Sequence, residues 1–366
     1  MFFLSATFYV KSLEVIMLHI ETDDAIYEVG FQHIQINVTA RCNMRCEHCR
    51  GAYEGTADLS VEDFTSLIFF SRQHIGEKGG YLLTGGEPLL HPWFKDLLVI
   101  LREQVRDDDF VTIATNGTFL TGDFLDYLGA LSFPEFRISI SLDSVDQVRH
   151  NRFRHSPRGH QDSVRAIELV AKRSDIKCIV RATIQADQIE EMGAMAELVE
   201  SLGADVLSIS SIIPAGRARN KPEFIFGKKA KQALIARIID LRPQHPKLII
   251  DMNDPLAYIT TADEGRCGEF GGCIAGIGTF SVEPDGTMLP CPLLHNQVIA
   301  NIKGMKPEAM EQAYINSPFI HSLIERKLTD ACGDCRLRFT CGGCRARAEA
   351  DSGNFLGADP DCWLQS

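Results

Sequence analysis

The sequence has no apolar run long enough to span a membrane; its opening stretch, FFLSATFYV, is broken by Lys11. That stretch has neither a basic segment before it nor a small-residue cleavage site, so no secretory signal is read there. Positive charge is scarce, with 37 Lys and Arg against 49 Asp and Glu and a net charge of −12. An acidic balance of this size excludes a general nucleic-acid-binding surface. Low-complexity tracts and solenoid-like repeats are also missing. What remains is an ordinary globular composition, 45% apolar and 23% charged over 366 residues. This is room for one large domain and a smaller one. The expectation is a cytoplasmic protein with no nucleic-acid partner and no membrane partner.

Cysteine is abundant instead. The twelve cysteines fall into groups at 42/46/49, 267/273/291, 332/335/341/344 and 362, with Cys178 alone. Disulfides would require export, which nothing here supports, so clustered short spacings point to metal.

From residue 33 to 213 strand-like and helix-like segments alternate, the pattern of a parallel sheet with helical crossovers. Strands are expected at 33–39, 80–84, 110–115, 136–143, 176–184 and 205–212, and helices near 60–74, 92–105, 121–131, 160–173 and 188–202. Ser60 with Asp63 three residues later marks a helix start. Several strands alternate polar and apolar residues. Arg137, Ser139, Ser141 and Asp143 share one face, and Ile138, Ile140 and Leu142 the other. Strands of a sheet covered on both faces would be apolar throughout. A polar face repeated from strand to strand fits a barrel whose lumen holds a polar ligand. On the same parity Cys178 sits with Val180 and Ala182 on the apolar outside, which predicts a structural role. The division is an extension at 1–32, a barrel at 33–213, a linking region with one helix at 214–266, and a cysteine-rich region at 267–366 that metal would help to stabilise.

RCNMRCEHCR places Cys42, Cys46 and Cys49 directly after the first strand, in C-x3-C-x2-C spacing. Three thiolates on an iron–sulfur cubane leave one iron open to an exogenous ligand; a zinc knuckle is the alternative. TGGEP (84–88), TNG (115–117) and SLDS (141–144) decorate the ends of the next three strands. In a parallel barrel that end is the catalytic face.

With these motifs in this order, residues 33–213 resemble the radical S-adenosylmethionine (SAM) superfamily. The resemblance implies an α/β fold, a partial (β/α)6 TIM-like barrel. It implies a 4Fe–4S cluster on Cys42, Cys46 and Cys49 that binds SAM and cleaves it to a 5′-deoxyadenosyl radical. It further implies Gly85, Gly86 and Glu87 at the SAM amino group and His48 near the adenine. Thr115, Asn116 and Ser141 would contact ribose and methionine, and Ile213 the adenine. Arg165 and Arg181 are candidates for a carboxylate clamp; a solvent-facing Arg165 and a structural ion pair for Arg181 are the alternatives.

CGDCRLRFTCGGC, with CGEFGGC and PDGTMLPC upstream, resembles the SPASM extension of the same superfamily. It implies two auxiliary 4Fe–4S clusters, one on Cys267, Cys273, Cys291 and Cys344, the other on Cys332, Cys335, Cys341 and Cys362. A zinc ribbon at 332–344, or a single auxiliary cluster, stays open. The first expectation for function is oxidative maturation of a ribosomal peptide or a residue of a protein. The short stretch before the first strand, too small for a leader-binding domain, weakens that reading. The alternatives are a small-molecule dehydrogenase or epimerase acting on a carbohydrate, and an enzyme of tetrapyrrole side groups, which IIPAGRAR (212–219) also resembles. A non-catalytic iron–sulfur protein would not need GGEP. An electron donor such as flavodoxin or ferredoxin is implied. Arg149, Arg152, Arg154 and Arg158, with Arg217 and Arg219, would draw in an anionic substrate.

Overall fold

The computed structural model describes residues 16–51, 53–263 and 272–364. A hairpin of β1 (Leu18–Glu21) and β2 (Ile26–Val29) leads into β3 (Phe31–Thr39). The repeating units then follow: β4 (Ile75–Gly85), β5 (Phe110–Thr115), β6 (Glu135–Ser141), β7 (Lys177–Ile184) and β8 (Val206–Ser211). Between them run α1 (Val61–His74), α2 (Phe94–Gln104), α3 (Gly122–Leu131), α4 (Gln147–Arg154), α5 (Gly159–Ala171) and α6 (Met192–Ser201); α7 (Gly227–Leu241) follows β8. Ser60 caps α1, its hydroxyl accepting the Asp63 N–H at 3.0 Å. Among the described residues no helix is long and apolar enough to cross a membrane.

Strands β3 to β8 are parallel neighbours in sequence order. The sheet continues beyond them on both sides. β9 (Ile249–Met252), from the stretch expected to link two domains, pairs parallel with β8. β10 (Thr279–Val282), from the cysteine-rich region, pairs parallel with β3, and β11 (Thr287–Leu289) and β12 (Ala300–Asn301) extend that flank antiparallel. The cysteine-rich region is therefore built onto the barrel sheet rather than tethered to it. Aromatic packing secures the junction: Phe31 of β3 meets Phe280 of β10 and Tyr314 of helix Pro307–Ile315 edge-on, at 4.8 and 5.3 Å between ring centres. All three rings are fully buried.

The strand faces follow the alternation. In β7 Cys178, Val180, Ala182 and Ile184 are buried, while Lys177, Ile179, Arg181 and Thr183 are half-buried. Cys178 faces α5, its sulfur 4.0 Å from the Ile167 carbonyl.

Candidate active site

The three cysteines of the first group occupy the loop leaving β3, at the end of the sheet from which every parallel strand exits. Two neighbouring loops hold this one in shape. On one side lies the turn after β4, where Gly86 and Glu87 donate their N–H groups to the carbonyls of Thr39 and Arg41, both at 2.7 Å. Gly85 pairs with Thr39 across the sheet. A Cβ at Gly86 would stand 2.2 Å from the Arg41 carbonyl, so no larger residue fits. On the other side lies the loop after β8. A Cβ at Gly216 would stand 2.2 Å from the Arg50 carbonyl and 2.3 Å from that of Cys49. Arg217 donates its N–H to the Cys49 carbonyl at 2.9 Å and its Nη2 to the Tyr53 carbonyl at 3.0 Å. The glycines of GGEP thus allow a close approach between two loops of the protein.

Glu87 is anchored by neighbouring groups of the protein. It is completely buried, and its carboxylate accepts the Thr115 hydroxyl at 2.7 Å, the Asn116 N–H at 2.8 Å and the Leu89 N–H at 3.4 Å. The carboxylate ties the turn after β4 to the end of β5. Burial pushes its carboxyl up to about 7, against the pull of these three donors. Asn116 in turn donates to Asn43 in the cysteine loop at 2.8 Å. Thr115 and Asn116 therefore brace the loop through their own hydrogen bonds.

Asp143 and Arg154 form a pair that sequence reasoning missed. Arg154 reads in the sequence as one of several surface charges, yet it is buried, donating its Nε to Asp143 at 2.6 Å and its Nη2 at 3.1 Å. Its Nη1 lies 4.0 Å from the Cys46 sulfur. Asp146 caps α4, and His150 and Arg154, one turn apart on that helix, both meet Asp143. That i, i+4 spacing was the available signal. Burial alone would push the Asp143 carboxyl up. The Arg154 guanidinium overrides it, helped by His48 and His150, and holds the group well below the usual carboxylate range.

The other expected contacts are distributed as follows. The His48 ring stacks on Phe153, with centres 4.4 Å apart, and burial pushes its pKa down to about 4. Ser141 is half-buried on the polar face of β6. Arg181 lies on the same face of β7, donating to the Ser208 hydroxyl at 2.6 Å. Arg165 gives its terminal nitrogens to the carbonyls of Leu120, Gly117 and Thr118, at 2.7 to 3.3 Å. It braces the loop after β5. Ile213 packs against the cluster of Ala275, Leu294, Cys344 and Ala346.

The basic islands are largely neutralised. Arg149 pairs with Asp187 and Glu191, Arg158 lies 3.9 Å from Asp162, and Arg217 lies 3.9 Å from Glu54. Among the described residues Arg152 and Arg219 make no ion pair. Arg152 helps to line a cavity of about 330 Å³ with Asp143, Arg149, Phe153, Gln188 and Phe224. Val148, 76% exposed, and Ile225, 59% exposed, adjoin lining residues of this cavity in the sequence.

The thiols suit a cationic core. Burial pushes Cys46 up to about 11, Arg154 opposes the shift, and Cys49 and Cys42 add to it. The three sulfurs are within electrostatic reach of one another. Cys42 already accepts the Met44 N–H at 3.4 Å. Among the described residues no three metal-binding side chains are gathered as tightly as one ion requires. A cubane asks for wider spacing, since each thiolate binds a different iron. In the C-terminal region Cys291 is pushed up to about 12 by burial, with Cys273 and Cys344 adding to the push. Cys332, Cys335, Cys341 and Cys362 line one small cavity with Gly342 and Gly343. Cys335 accepts the Leu337 N–H and Cys341 the Gly343 N–H, each at 3.4 Å. Cys267 lies outside the described residues.

Residues 36–199 match the Radical SAM superfamily. The AdoMet-dependent heme synthase of Methanosarcina barkeri is 28% identical over 340 residues, covering 89% of this chain and 94% of that protein. The antilisterial bacteriocin subtilosin biosynthesis protein AlbA of Bacillus subtilis is 26% identical over 323 residues, covering 85% of this chain and 66% of AlbA. Among solved structures, native anSMEcpe with bound AdoMet superposes with a TM-score of 0.70 at 17% identity, over 90% of this chain and 94% of that one.

Proposed function

Because this chain belongs to the radical SAM superfamily, of the SPASM type within it, and is an enzyme, we propose that it abstracts a hydrogen atom from a C–H bond in a side group of a tetrapyrrole. The likeness to a heme synthase over nine tenths of the sequence supports this choice of substrate.

In this reading Cys42, Cys46 and Cys49 hold a 4Fe–4S cluster which, with SAM bound, supplies the 5′-deoxyadenosyl radical. Gly216 and Arg217 on one side, and Gly86 with Glu87 on the other, fix the loop that carries these thiolates. Arg154, held by Asp143, keeps a positive charge 4.0 Å from the Cys46 sulfur. Arg181 offers a cation in the lumen to a carboxylate. The cavity lined by Arg149 and Arg152 together with Glu47, Asp143 and Glu223 receives the substrate, and the exposed apolar Val148 and Ile225, next in sequence to lining residues, offer contact to the body of the ring. Cys267, Cys273, Cys291 and Cys344 hold one auxiliary 4Fe–4S cluster, and Cys332, Cys335, Cys341 and Cys362 a second. A small flavodoxin- or ferredoxin-type protein delivers electrons.

Peptide modification, the first expectation from the motifs, is the second reading; the subtilosin biosynthesis relative favours it. One experiment separates the two. Anaerobically reconstituted protein is reduced and given SAM with either a propionate-bearing iron porphyrin or short cysteine-containing peptides. The tetrapyrrole reading expects the porphyrin to stimulate 5′-deoxyadenosine formation and to change in mass. A mass change in peptide alone moves the assignment to the second reading. Unchanged porphyrin and peptide remove both.

A further inference from the structure

The residue after Cys49 reaches across the molecule to the residue after Cys291. Arg50 Nη1 donates to the Pro292 carbonyl at 3.0 Å and to Glu283 Oε1 at 3.3 Å, and its Nη2 donates to Asn37. Glu283 stands just past β10 and also accepts the Tyr53 hydroxyl at 2.6 Å and the Asn37 Nδ2 at 2.9 Å. Asn37 Nδ2 further bonds the Val282 carbonyl at 3.0 Å. Four side chains, from β3, the cysteine loop and the end of β10, thus close one network. Glu283 and Tyr53 are buried, and the Arg50 side chain is only 22% exposed.

We propose that Arg50 is a positioning residue that couples the two cysteine sets, and that its ion pair with Glu283 sets the reduction potentials of the clusters bound there. The inference rests on the reading that Cys42/Cys46/Cys49 and the set that includes Cys273, Cys291 and Cys344 each hold an iron–sulfur cluster. Arginine keeps its charge at every working pH. A fixed cation near a cluster favours the reduced form, which carries one more negative charge, and so raises the potential; a carboxylate does the opposite. Arg50 touches both sets through its place in the fold: it directly follows Cys49 and bonds the carbonyl of Pro292, which directly follows Cys291. Its guanidinium and the Pro292 carbonyl also form a short hydrogen-bonded link between the two loops. Mere docking of the C-terminal region would not need a charge here, since the aromatic cluster around Phe31 already joins the same strands.

The test is a redox titration of reconstituted full-length protein, following each cluster by electron paramagnetic resonance. The variants are Arg50→Lys, Arg50→Gln, Glu283→Gln and the Gln/Gln double. Arg50→Gln should lower the reduced-to-oxidised ratio of both clusters about tenfold at a fixed potential, a shift of about 59 mV for one electron. Glu283→Gln should shift them in the opposite sense. The double variant and Arg50→Lys should lie near wild type. Shifts of the same sign in the two single variants, or none with iron content intact, overturn the proposal. If Arg50→Gln loses iron, Glu283→Gln decides alone: only a raised potential supports the coupling. A wild-type iron content of about four rather than about twelve removes the cluster reading itself, and the proposal with it. Full iron with unmoved potentials removes only the proposal.

Discussion

Arg154 meets Asp143 through two hydrogen bonds, at 2.6 and 3.1 Å, in a site where both residues are buried. Asp143 also accepts the Thr183 N–H at 3.0 Å, so the pair pins α4 to the ends of β6 and β7. Removing one partner strands the other charge, which typically costs about 3–5 kcal/mol. Asp143→Ala should lose about that much stability in denaturant titrations. The folded carboxyl titrates below its unfolded value near 4, so the pair's contribution is fully present above that pH and is lost only as pH falls through the folded value. The difference between wild type and Asp143→Asn should therefore be constant from pH 5 to 8. A difference that changes within this range would contradict the depressed carboxyl.

Glu87 has the opposite sign. Its folded pKa is raised to about 7, above an unfolded value near 4.5. Its stabilisation is therefore complete below about pH 4.5 and fades as pH rises through 7. Lowering pH from 8 to 5 should stabilise wild type relative to Glu87→Gln by about 1–3 kcal/mol. Thermal melts at the two pH values check this. Glu87→Ala should also weaken SAM binding, since Thr115 and Asn116 lose their anchor.

Cys178 lies completely buried against α5. Cys178→Ala should cost about 1–3 kcal/mol of stability and leave turnover per folded molecule unchanged. Lost turnover in folded protein, or solvent deuterium entering product only when Cys178 is present, would assign it a hydrogen-donor role instead.

Cys335→Ala should lower iron content while SAM cleavage continues and product formation fails. It lines the C-terminal cavity with Cys332, Cys341 and Cys362, and none of Cys42, Cys46 and Cys49 lines that cavity. Unchanged iron accompanied by zinc would restore the zinc-ribbon alternative.

The six central strands were legible because alternation and βα punctuation extend over several residues in each. β9 and β10 were not: each is four residues long, and β10 sits in a glycine- and cysteine-rich stretch with no periodic signal of its own. Their places come from partners more than 30 residues away in the sequence. The cysteine loop and its supporting turn were visible as motifs, but the task of each residue within them was not. The contacts of the Glu87 carboxylate with Thr115 and Asn116 were not legible, because nothing local in the sequence shows them. Arg154 read as surface charge because it lies in a basic run, although its one-turn spacing from His150 was on view. Gly216 drew no comment, since its close approach to Cys49 and Arg50 spans about 165 residues of sequence.

The most direct test of the account is SAM cleavage by anaerobically reconstituted, reduced protein, compared with a variant in which Cys42, Cys46 and Cys49 are all alanine. Wild type should release 5′-deoxyadenosine and methionine. The triple variant should lose about four irons and all cleavage while keeping the iron of the C-terminal cysteines. Cleavage that persists in the triple variant would contradict the assignment of these three cysteines and the chemistry built on them.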